Sequence, residues 1–189
     1  MFIEQNIRDG AGGWIEVICG SMFSGKTEEL IRRLKRARIA NLKVEIFKPA
    51  VDNRYDKEKI VSHDESSISS IPVTHSNNIL LLTEGVDVVG IDEAQFFDDQ
   101  IISVCEALAA KGVRVIAAGL DMDYTGKPFG PMPNLLAIAE YITKLHAICM
   151  RCGAIANYSY RKIPNSNQLV IGEKDHYEAR CRRCFKNTE

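Results

Sequence analysis

The feature that most constrains this chain is one glycine-rich segment near its N-terminus. It reads Gly20-Ser21-Met22-Phe23-Ser24-Gly25-Lys26-Thr27 and matches G-x-x-x-x-G-K-[ST], the phosphate-binding P-loop. The β-branched and apolar residues at 14–19 predict a strand before it. Apolar residues at near-helical spacing predict a helix over about residues 25–40 after it. The segment therefore has the strand–loop–helix context in which this motif binds phosphate.

The residue types of this segment suit a polyphosphate ligand. Small residues let backbone N–H groups turn inward at the positive end of the following helix. Lys26 supplies a point charge for the β- and γ-phosphates, and the Thr27 hydroxyl can ligate Mg²⁺. The alternative is a glycine-rich turn that ends in Lys-Thr by chance. It is disfavoured because all four fixed positions match in the expected context.

A second informative stretch covers residues 85–93 and ends in an acidic pair, Asp92 and Glu93. A nearly apolar run of this kind predicts a buried parallel strand whose carboxyl end enters a site. In P-loop proteins an Asp at this place holds the Mg²⁺ shell. The following Glu is suited to accept a proton from the attacking group. A strand that ends in a charged turn is the structural alternative, and the P-loop in the same chain makes it the weaker one.

The remaining pattern alternates between strands and helices. Further strands are predicted at 43–48, 113–121 and 145–148, with a short edge strand at 71–73, and helices at 79–82, 98–111 and 134–140. Such alternation predicts an α/β fold with a mostly parallel sheet. The first helix is strongly basic, which indicates either a solvated face or contact with an anionic ligand or a neighbouring subunit. The aromatic residues in the 123–131 loop either pack beneath the turn or line a pocket.

Four of the six cysteines form two C-x-x-C pairs, Cys149 with Cys152 and Cys181 with Cys184. This spacing brings both sulfurs of a pair within reach of one ion, and four thiolates suit tetrahedral Zn²⁺. Four cysteine ligands leave no open coordination position, so the metal would be structural. Redox pairs or unrelated thiols are one alternative. A nucleic-acid-binding zinc ribbon is another, although no basic patch with interleaved aromatic residues supports it.

Length and charge narrow the classes of function. A chain of 189 residues suggests one main domain with a small appendage. We expect a P-loop domain over residues 1–145 and a zinc-bound domain over 146–189. The net charge of −1 gives no basic field for nucleic acid. No apolar run has the length of a signal peptide core or a membrane helix, so we expect a soluble, cytoplasmic protein.

Taken together, these motifs resemble the type II thymidine kinases, which include cytosolic vertebrate, poxviral and bacterial enzymes. The resemblance covers about residues 13–185. It rests on the P-loop, Gly90-Ile91-Asp92-Glu93-Ala94-Gln95-Phe96-Phe97, Lys127-Pro128-Phe129-Gly130 and the cysteine pairs. It implies transfer of the ATP γ-phosphate to the 5′-hydroxyl of thymidine. It also implies a small zinc-bound domain with a "lasso" loop that closes over the nucleoside, a homotetramer, and inhibition by dTTP.

The resemblance also implies roles for individual residues. Glu93 corresponds to the proton acceptor and Asp92 to the Mg²⁺ partner, while the P-loop residues bind ATP. The residues that correspond to the pocket around the base are Met22, Phe96, Leu120, Tyr124 and Phe129, and those of the lasso are Gln168, Leu169, Val170, Ile171, Gly172 and Tyr177. The chain departs from vertebrate members at Tyr124, where they usually have Phe. This departure bears on nucleoside preference more than on the reaction.

Two other functions share parts of this pattern. A P-loop ATPase or GTPase would use the same acidic pair to activate water. A P-loop ATPase with a structural zinc ribbon that acts on nucleic acid is the second. The zinc-anchored loop and the aromatic pocket residues favour a small acceptor, and the neutral net charge disfavours nucleic acid.

Overall fold

The computed structural model describes residues 12–50, 59–61, 67–162 and 176–187. The predicted lasso segment, residues 168–172, lies outside them. The strands are β1 (Trp14–Cys19), β2 (Val44–Pro49), β3 (Lys59–Val61), β4 (Ser67–Ser69), β5 (Ile71–Val73), β6 (Val88–Ile91), β7 (Arg114–Gly119), β8 (Tyr141–Lys144), β9 (Ala147–Ile148), β10 (Ile155–Ala156), β11 (Tyr158–Arg161) and β12 (Tyr177–Arg180). The helices are α1 (Lys26–Ile39), α2 (Asn78–Leu81), α3 (Gln100–Ala110), α4 (Met132–Ile138) and α5 (Arg182–Lys186), with a 3₁₀ turn at Ala94–Phe96.

Six strands form one sheet in the order β5-β2-β6-β7-β1-β8, and every pairing in it is parallel. The predicted α/β fold with a mostly parallel sheet is therefore confirmed. β1 and β7 are buried along their whole length because helices cover both faces of the sheet. Ile18 and Ile116 face α1, whereas Val17 and Val115 belong to the core beneath α3 and α4.

A buried ionic cluster lies between the sheet and α1. Glu16 on β1 is fully buried, and its carboxylate accepts hydrogen bonds from Arg114 Nε at 2.6 Å and Arg33 Nη1 at 2.7 Å. Trp14 Nε1 donates to the same carboxylate at 2.7 Å. The interpretation of the basic α1 surface as solvated is therefore wrong for Arg33, which points inward to the Glu16 carboxylate. Four other basic residues of that helix, Arg32, Lys35, Arg36 and Arg38, are exposed.

The region after α3 differs most from the predicted elements. The helix predicted at 134–140 spans Met132–Ile138, and β8 follows it directly as an edge strand beside β1. β8 was not predicted because its residues alternate between partial and full exposure, so it has no continuous apolar run. The strand predicted at 145–148 is shorter, and it pairs with β10 in a separate sheet.

The C-terminal part, β9–β12 and α5, has its strands outside the six-stranded sheet, and we call it the cysteine-rich unit. β9 pairs with β10, β11 pairs with β12, both antiparallel, and α5 follows. Its core is small, with Ala147, Ala156 and Ala179 packed around two of the cysteines. Because so little apolar surface is buried here, a bound metal would contribute much of the unit's folding free energy. No helix among residues 12–50, 67–162 and 176–187 is long and apolar enough to cross a membrane.

Candidate active site

The P-loop joins the carboxyl end of β1 to the start of α1. Gly20 has φ 144°, and a Cβ on it would lie 2.3 Å from the carbonyl oxygen of Leu145. Gly25 has φ 85° and precedes the first residue of α1. Both positions require glycine, the first for close backbone approach and the second for a left-handed conformation. The motif glycines thus shape a loop at the positive end of a 14-residue helix, where anions bind.

Side chains of the P-loop converge on its own backbone. Lys26 Nζ donates to the carbonyl oxygen of Ser21 at 2.9 Å, and Ser24 Oγ donates to the same oxygen at 2.8 Å. The Lys26 charge therefore lies within the curve of the loop, where a phosphate group would bind. Met22 N–H donates to Ser159 Oγ at 3.0 Å. Through this bond the P-loop contacts β11 of the cysteine-rich unit, a contact that the sequence does not indicate.

The acidic pair follows β6, which is separated from β1 by one strand, β7. Asp92 is buried, and its Oδ1 accepts the Glu93 N–H at 3.0 Å. Glu93 has φ 51° and ψ 42°, a left-handed backbone conformation that is strained for a residue with a side chain. Strain of this kind is found disproportionately at reactive sites. The acidic pair and the P-loop thus lie at the same end of the sheet. This is the end formed by the carboxyl ends of the parallel strands, where ligands of α/β proteins bind.

Gln95 connects the Glu93 carboxylate with the end of β7. Its Nε2 donates to Glu93 Oε2 at 2.5 Å, and its Oε1 accepts the Leu120 N–H at 2.9 Å. The sequence motif contains Gln95 but indicates no role for it. No pattern in the sequence shows this contact, because it depends on which strand lies beside β6.

Three of the five predicted base-pocket residues, together with Tyr177 of the predicted lasso, take part in two contacting groups. Phe96 and Phe129 pack edge to face, with ring centroids 5.5 Å apart. Tyr124 and Tyr177 are joined by Arg161, whose guanidinium carbon lies 3.6 Å from the Tyr124 ring centroid. Arg161 Nε donates to the Tyr177 hydroxyl at 3.1 Å. Arg161 was missed by sequence reasoning, since only the β11–β12 register places it opposite Tyr177.

Leu120 and Met22, the other two predicted base-pocket residues, follow β7 and β1 in the chain. Leu120 directly follows β7 and is held there by the bond to Gln95. An ion pair between Asp121 Oδ2 and Lys144 Nζ, 2.7 Å long, joins the ends of β7 and β8. The hydrogen bond with Asp121 raises the pKa of Lys144, so this lysine stays charged. This ion pair therefore connects the ends of β7 and β8, the two strands that lie on either side of β1.

The four cysteines of the two C-x-x-C pairs converge in space. The sulfurs of Cys149, Cys152, Cys181 and Cys184 all lie within 4.8 Å of one another. Tetrahedral zinc with Zn–S bonds of about 2.3 Å would place its sulfurs about 3.8 Å apart. The Sγ atoms of Cys152 and Cys181 are 3.7 Å apart, so the donor set fits zinc.

The thiols of this cluster differ in how easily they ionise. Burial opposes ionisation of Cys149, but backbone hydrogen bonds outweigh it and lower the pKa of this thiol to about 6. A backbone hydrogen bond from Cys184 also lowers the pKa of Cys181. Hydrogen bonds with Cys152 and Cys181 favour the protonated form of Cys184 and raise the pKa of this thiol to about 12, and burial and repulsion by a Cys149 thiolate add to the rise. A bound cation would offset that repulsion and allow all four sulfurs to coordinate as thiolates.

Comparison with known proteins identifies the family. The family model described as thymidine kinase matches residues 13–185. A thymidine kinase of Bacteroides thetaiotaomicron is 59% identical over 186 residues, which cover 98% of this chain and 94% of that protein. A thymidine kinase of Rhodothermus sp. is 60% identical over 177 residues, covering 94% and 83% of the two chains, and one of Porphyromonas gingivalis is 57% identical over 185 residues, covering 97% and 91%. The resemblance seen in the sequence motifs is thus confirmed, and this chain belongs to the thymidine kinase family.

Proposed function

We propose that this protein transfers the γ-phosphoryl group of ATP to the 5′-hydroxyl of thymidine, giving dTMP and ADP. One observation carries the proposal: the P-loop and the Asp92–Glu93 pair lie at the carboxyl ends of β1 and β6 in one parallel sheet. A phosphate-binding loop and a carboxylate that is suited to act as a general base therefore lie at the same end of the parallel strands. Relatives that are 57–60% identical over nearly the full chain bear the name thymidine kinase, which supports thymidine as the acceptor.

The phosphate-binding residues would position the donor and neutralise its charge. Backbone N–H groups of the P-loop and Lys26 hold the β- and γ-phosphates, and the negative charge is further compensated at the N-terminus of α1. Mg²⁺, when bound with ATP, draws charge from the phosphate oxygens. Thr27 and Asp92 are the residues that would hold its shell. Phosphoryl transfer needs little covalent chemistry from the protein, so this positioning accounts for much of the rate.

Glu93 would act on the acceptor. As the 5′-oxygen forms a bond to the γ-phosphorus, the bond from that phosphorus to the β–γ bridging oxygen breaks and ADP leaves. The proton of the 5′-hydroxyl passes to the Glu93 carboxylate. The nucleoside would be held by Met22, Phe96, Leu120, Tyr124 and Phe129. We propose that Tyr177 and the lasso segment, Gln168 to Gly172, also contact the nucleoside.

The cysteine-rich unit would support the site without taking part in the chemistry. Four cysteine ligands leave zinc no open position, so its role is to hold β9–β12 and α5 together. We place the boundary between the two units at residues 145 and 146. On the strength of the family resemblance we also propose a cytoplasmic homotetramer, a role in DNA precursor synthesis, and inhibition by dTTP.

One assay tests the proposed reaction against its alternatives. Purified protein is incubated with γ-labelled ATP and Mg²⁺, either alone, with each nucleoside, or with DNA or RNA. Label that passes to thymidine, with little release of phosphate in its absence, is the expected result. Release of phosphate that is unaffected by thymidine would overturn the proposal. Stimulation by nucleic acid alone would support the P-loop ATPase with a zinc ribbon, which the family membership disfavours.

A further inference from the structure

The Gln95 side chain occupies a tightly enclosed place between the acidic pair and β7. It is only 2% exposed, and both ends of its amide are hydrogen-bonded, to Glu93 Oε2 and to the Leu120 N–H. A Cβ at Gly119 would lie 2.8 Å from its Oε1, and a Cβ at Gly130 would lie 2.3 Å from its backbone oxygen. Two glycines therefore leave the space that this glutamine fills.

The orientation of the amide follows from its partners. The Leu120 backbone N–H can only donate, so the atom of Gln95 that faces it must be the carbonyl oxygen. The amide nitrogen must then face Glu93, where it needs an acceptor. A carboxylate oxygen meets this need, and the resulting bond is charge-assisted. The amide therefore holds one particular oxygen, Oε2 of Glu93, in a fixed direction.

The local backbone makes such support necessary. Glu93 lies in the left-handed region, between Asp92, whose N–H still pairs with Phe47 of β2, and a 3₁₀ turn of three residues. The turn is closed by the Phe96 N–H, which donates to the Glu93 carbonyl at 3.0 Å. That bond fixes the main chain, but it leaves the side-chain torsions of Glu93 to be set by other contacts. The Gln95 amide supplies one of them.

We propose that Gln95 is a positioning residue for phosphoryl transfer, which holds the Glu93 carboxylate where it accepts the proton of the 5′-hydroxyl. The same amide ties the carboxylate to Leu120, and thus to the side of the site where the nucleoside binds. This inference depends on the proposed role of Glu93 as the base. Gln95 is buried and bonded to the Glu93 carboxylate, so its effect on transfer would pass through the orientation of Glu93.

The first test replaces Gln95 with methionine, which has a similar length but no amide. Misplacement of a reacting group by about 1 Å can lower the rate about 10²-fold, so we expect kcat to fall about 10–100-fold. The KM for ATP should stay unchanged, because the P-loop is untouched. Gln100→Met is the matched control, since Gln100 is exposed at the start of α3 and should keep normal kcat. Normal kcat in Gln95→Met would overturn the inference.

A double-mutant cycle separates positioning from packing. If Gln95 acts through Glu93, then Gln95→Met should have little further effect on single-turnover transfer in the Glu93→Gln background. An equal loss in both backgrounds would mean that Gln95 only packs, and would overturn the inference. If Glu93→Gln is inactive but Gln95→Met is fully active, the positioning role of Gln95 is refuted and the proposed base is not. A fully active Glu93→Gln would refute the proposed base, and with it the positioning role.

Gln95→Glu gives a second test that retains the shape of the side chain. At neutral pH two carboxylates would face each other, and kcat should fall. On acidification the introduced carboxyl group becomes protonated, so it can donate to Glu93 while it still accepts the Leu120 N–H, and kcat should recover relative to the wild type. A constant ratio of variant to wild-type kcat across the pH range would contradict this reasoning, because a purely structural defect has no reason to be relieved by a proton.

Discussion

The buried carboxylate of Glu16 offers a quantitative test of what holds the P-loop strand to its helix. Glu16→Gln keeps the shape of the side chain but removes its charge. In the native protein the Glu16 carboxylate accepts hydrogen bonds from Trp14, Arg33 and Arg114. An amide has one acceptor oxygen and one donor nitrogen, so the nitrogen would face a guanidinium or indole N–H. Both arginines would lose the negative charge that they share.

The expected loss of stability follows from the burial of this cluster. Glu16, Arg33 and Arg114 are each at most 3% exposed. Removing one partner from a buried ion pair costs about 3–5 kcal/mol, because a charge is left uncompensated. Arg33 keeps its bond to Glu29 at 2.8 Å, which favours the lower end of that range. For a chain of this size the loss corresponds to a fall in Tm of about 6–20 °C.

Urea unfolding followed by fluorescence and circular dichroism would measure the effect. Trp14 is the only tryptophan of the chain and bonds to Glu16, so its emission reports on this cluster. Glu106→Gln is the matched control, because Glu106 is exposed on α3, and surface substitutions of this kind usually change stability by no more than about 0.5 kcal/mol. The reasoning is refuted if Glu16→Gln destabilises the protein no more than Glu106→Gln.

Four further outcomes are expected. Glu93→Gln should lower kcat by about 10²–10⁴-fold and leave thymidine binding intact, and near-normal kcat would exclude it as the base. Cys149→Ser or Cys181→Ser should release one zinc per chain, measured by metal analysis, while the P-loop domain stays folded; a fully active zinc-free protein would contradict this. Burial raises the pKa of Cys19 to about 11 and that of Cys105 to about 12. Neither thiol should react with a disulfide reagent at pH 8 unless the protein unfolds, and their contribution to stability should be lost only as pH rises above about 9, where unfolded thiols ionise. Finally, kcat/KM should rank thymidine above deoxyuridine and place deoxycytidine far behind. The reason is that cytosine has an acceptor at N3 and a donor at C4, where thymine has a donor and an acceptor. Comparable kcat/KM values for deoxycytidine and thymidine would contradict this.

Local features of the site were predictable from the sequence because local chemistry determines them. The strand–loop–helix context of the P-loop motif was predictable since Gly20 and Gly25 meet backbone requirements within a few residues of each other. The convergence of the four cysteines was predictable in part because the C-x-x-C spacing brings the two sulfurs of each pair close together. The burial of Arg33 was also open to prediction. Helical spacing places it on the same face as Leu30 and Ala37, but its charge led to the expectation of solvation.

Contacts between distant segments were not predictable in this way. Gln95 meets Leu120, and Arg161 meets Tyr124, only because β7 lies beside β6 and the β11–β12 pair packs near the loop after β7. Strand order is a property of the whole sheet, and no short pattern encodes it. The edge strand β8 was missed for a related reason. Its half-exposed side chains reflect its place at the border of the sheet rather than a hydrophobic run.

The left-handed backbone of Glu93 has a consequence for how this protein balances stability against activity. A non-glycine residue in this conformation costs about 1–3 kcal/mol, a sizeable part of the 5–15 kcal/mol that typically separates folded from unfolded protein. Selection for stability alone would favour glycine or asparagine at this position. A glutamate here means that the fold tolerates a local conformational penalty to direct a carboxylate at the sheet edge. Substitutions that improve the stability of this enzyme most easily are therefore among those that would remove its proposed base.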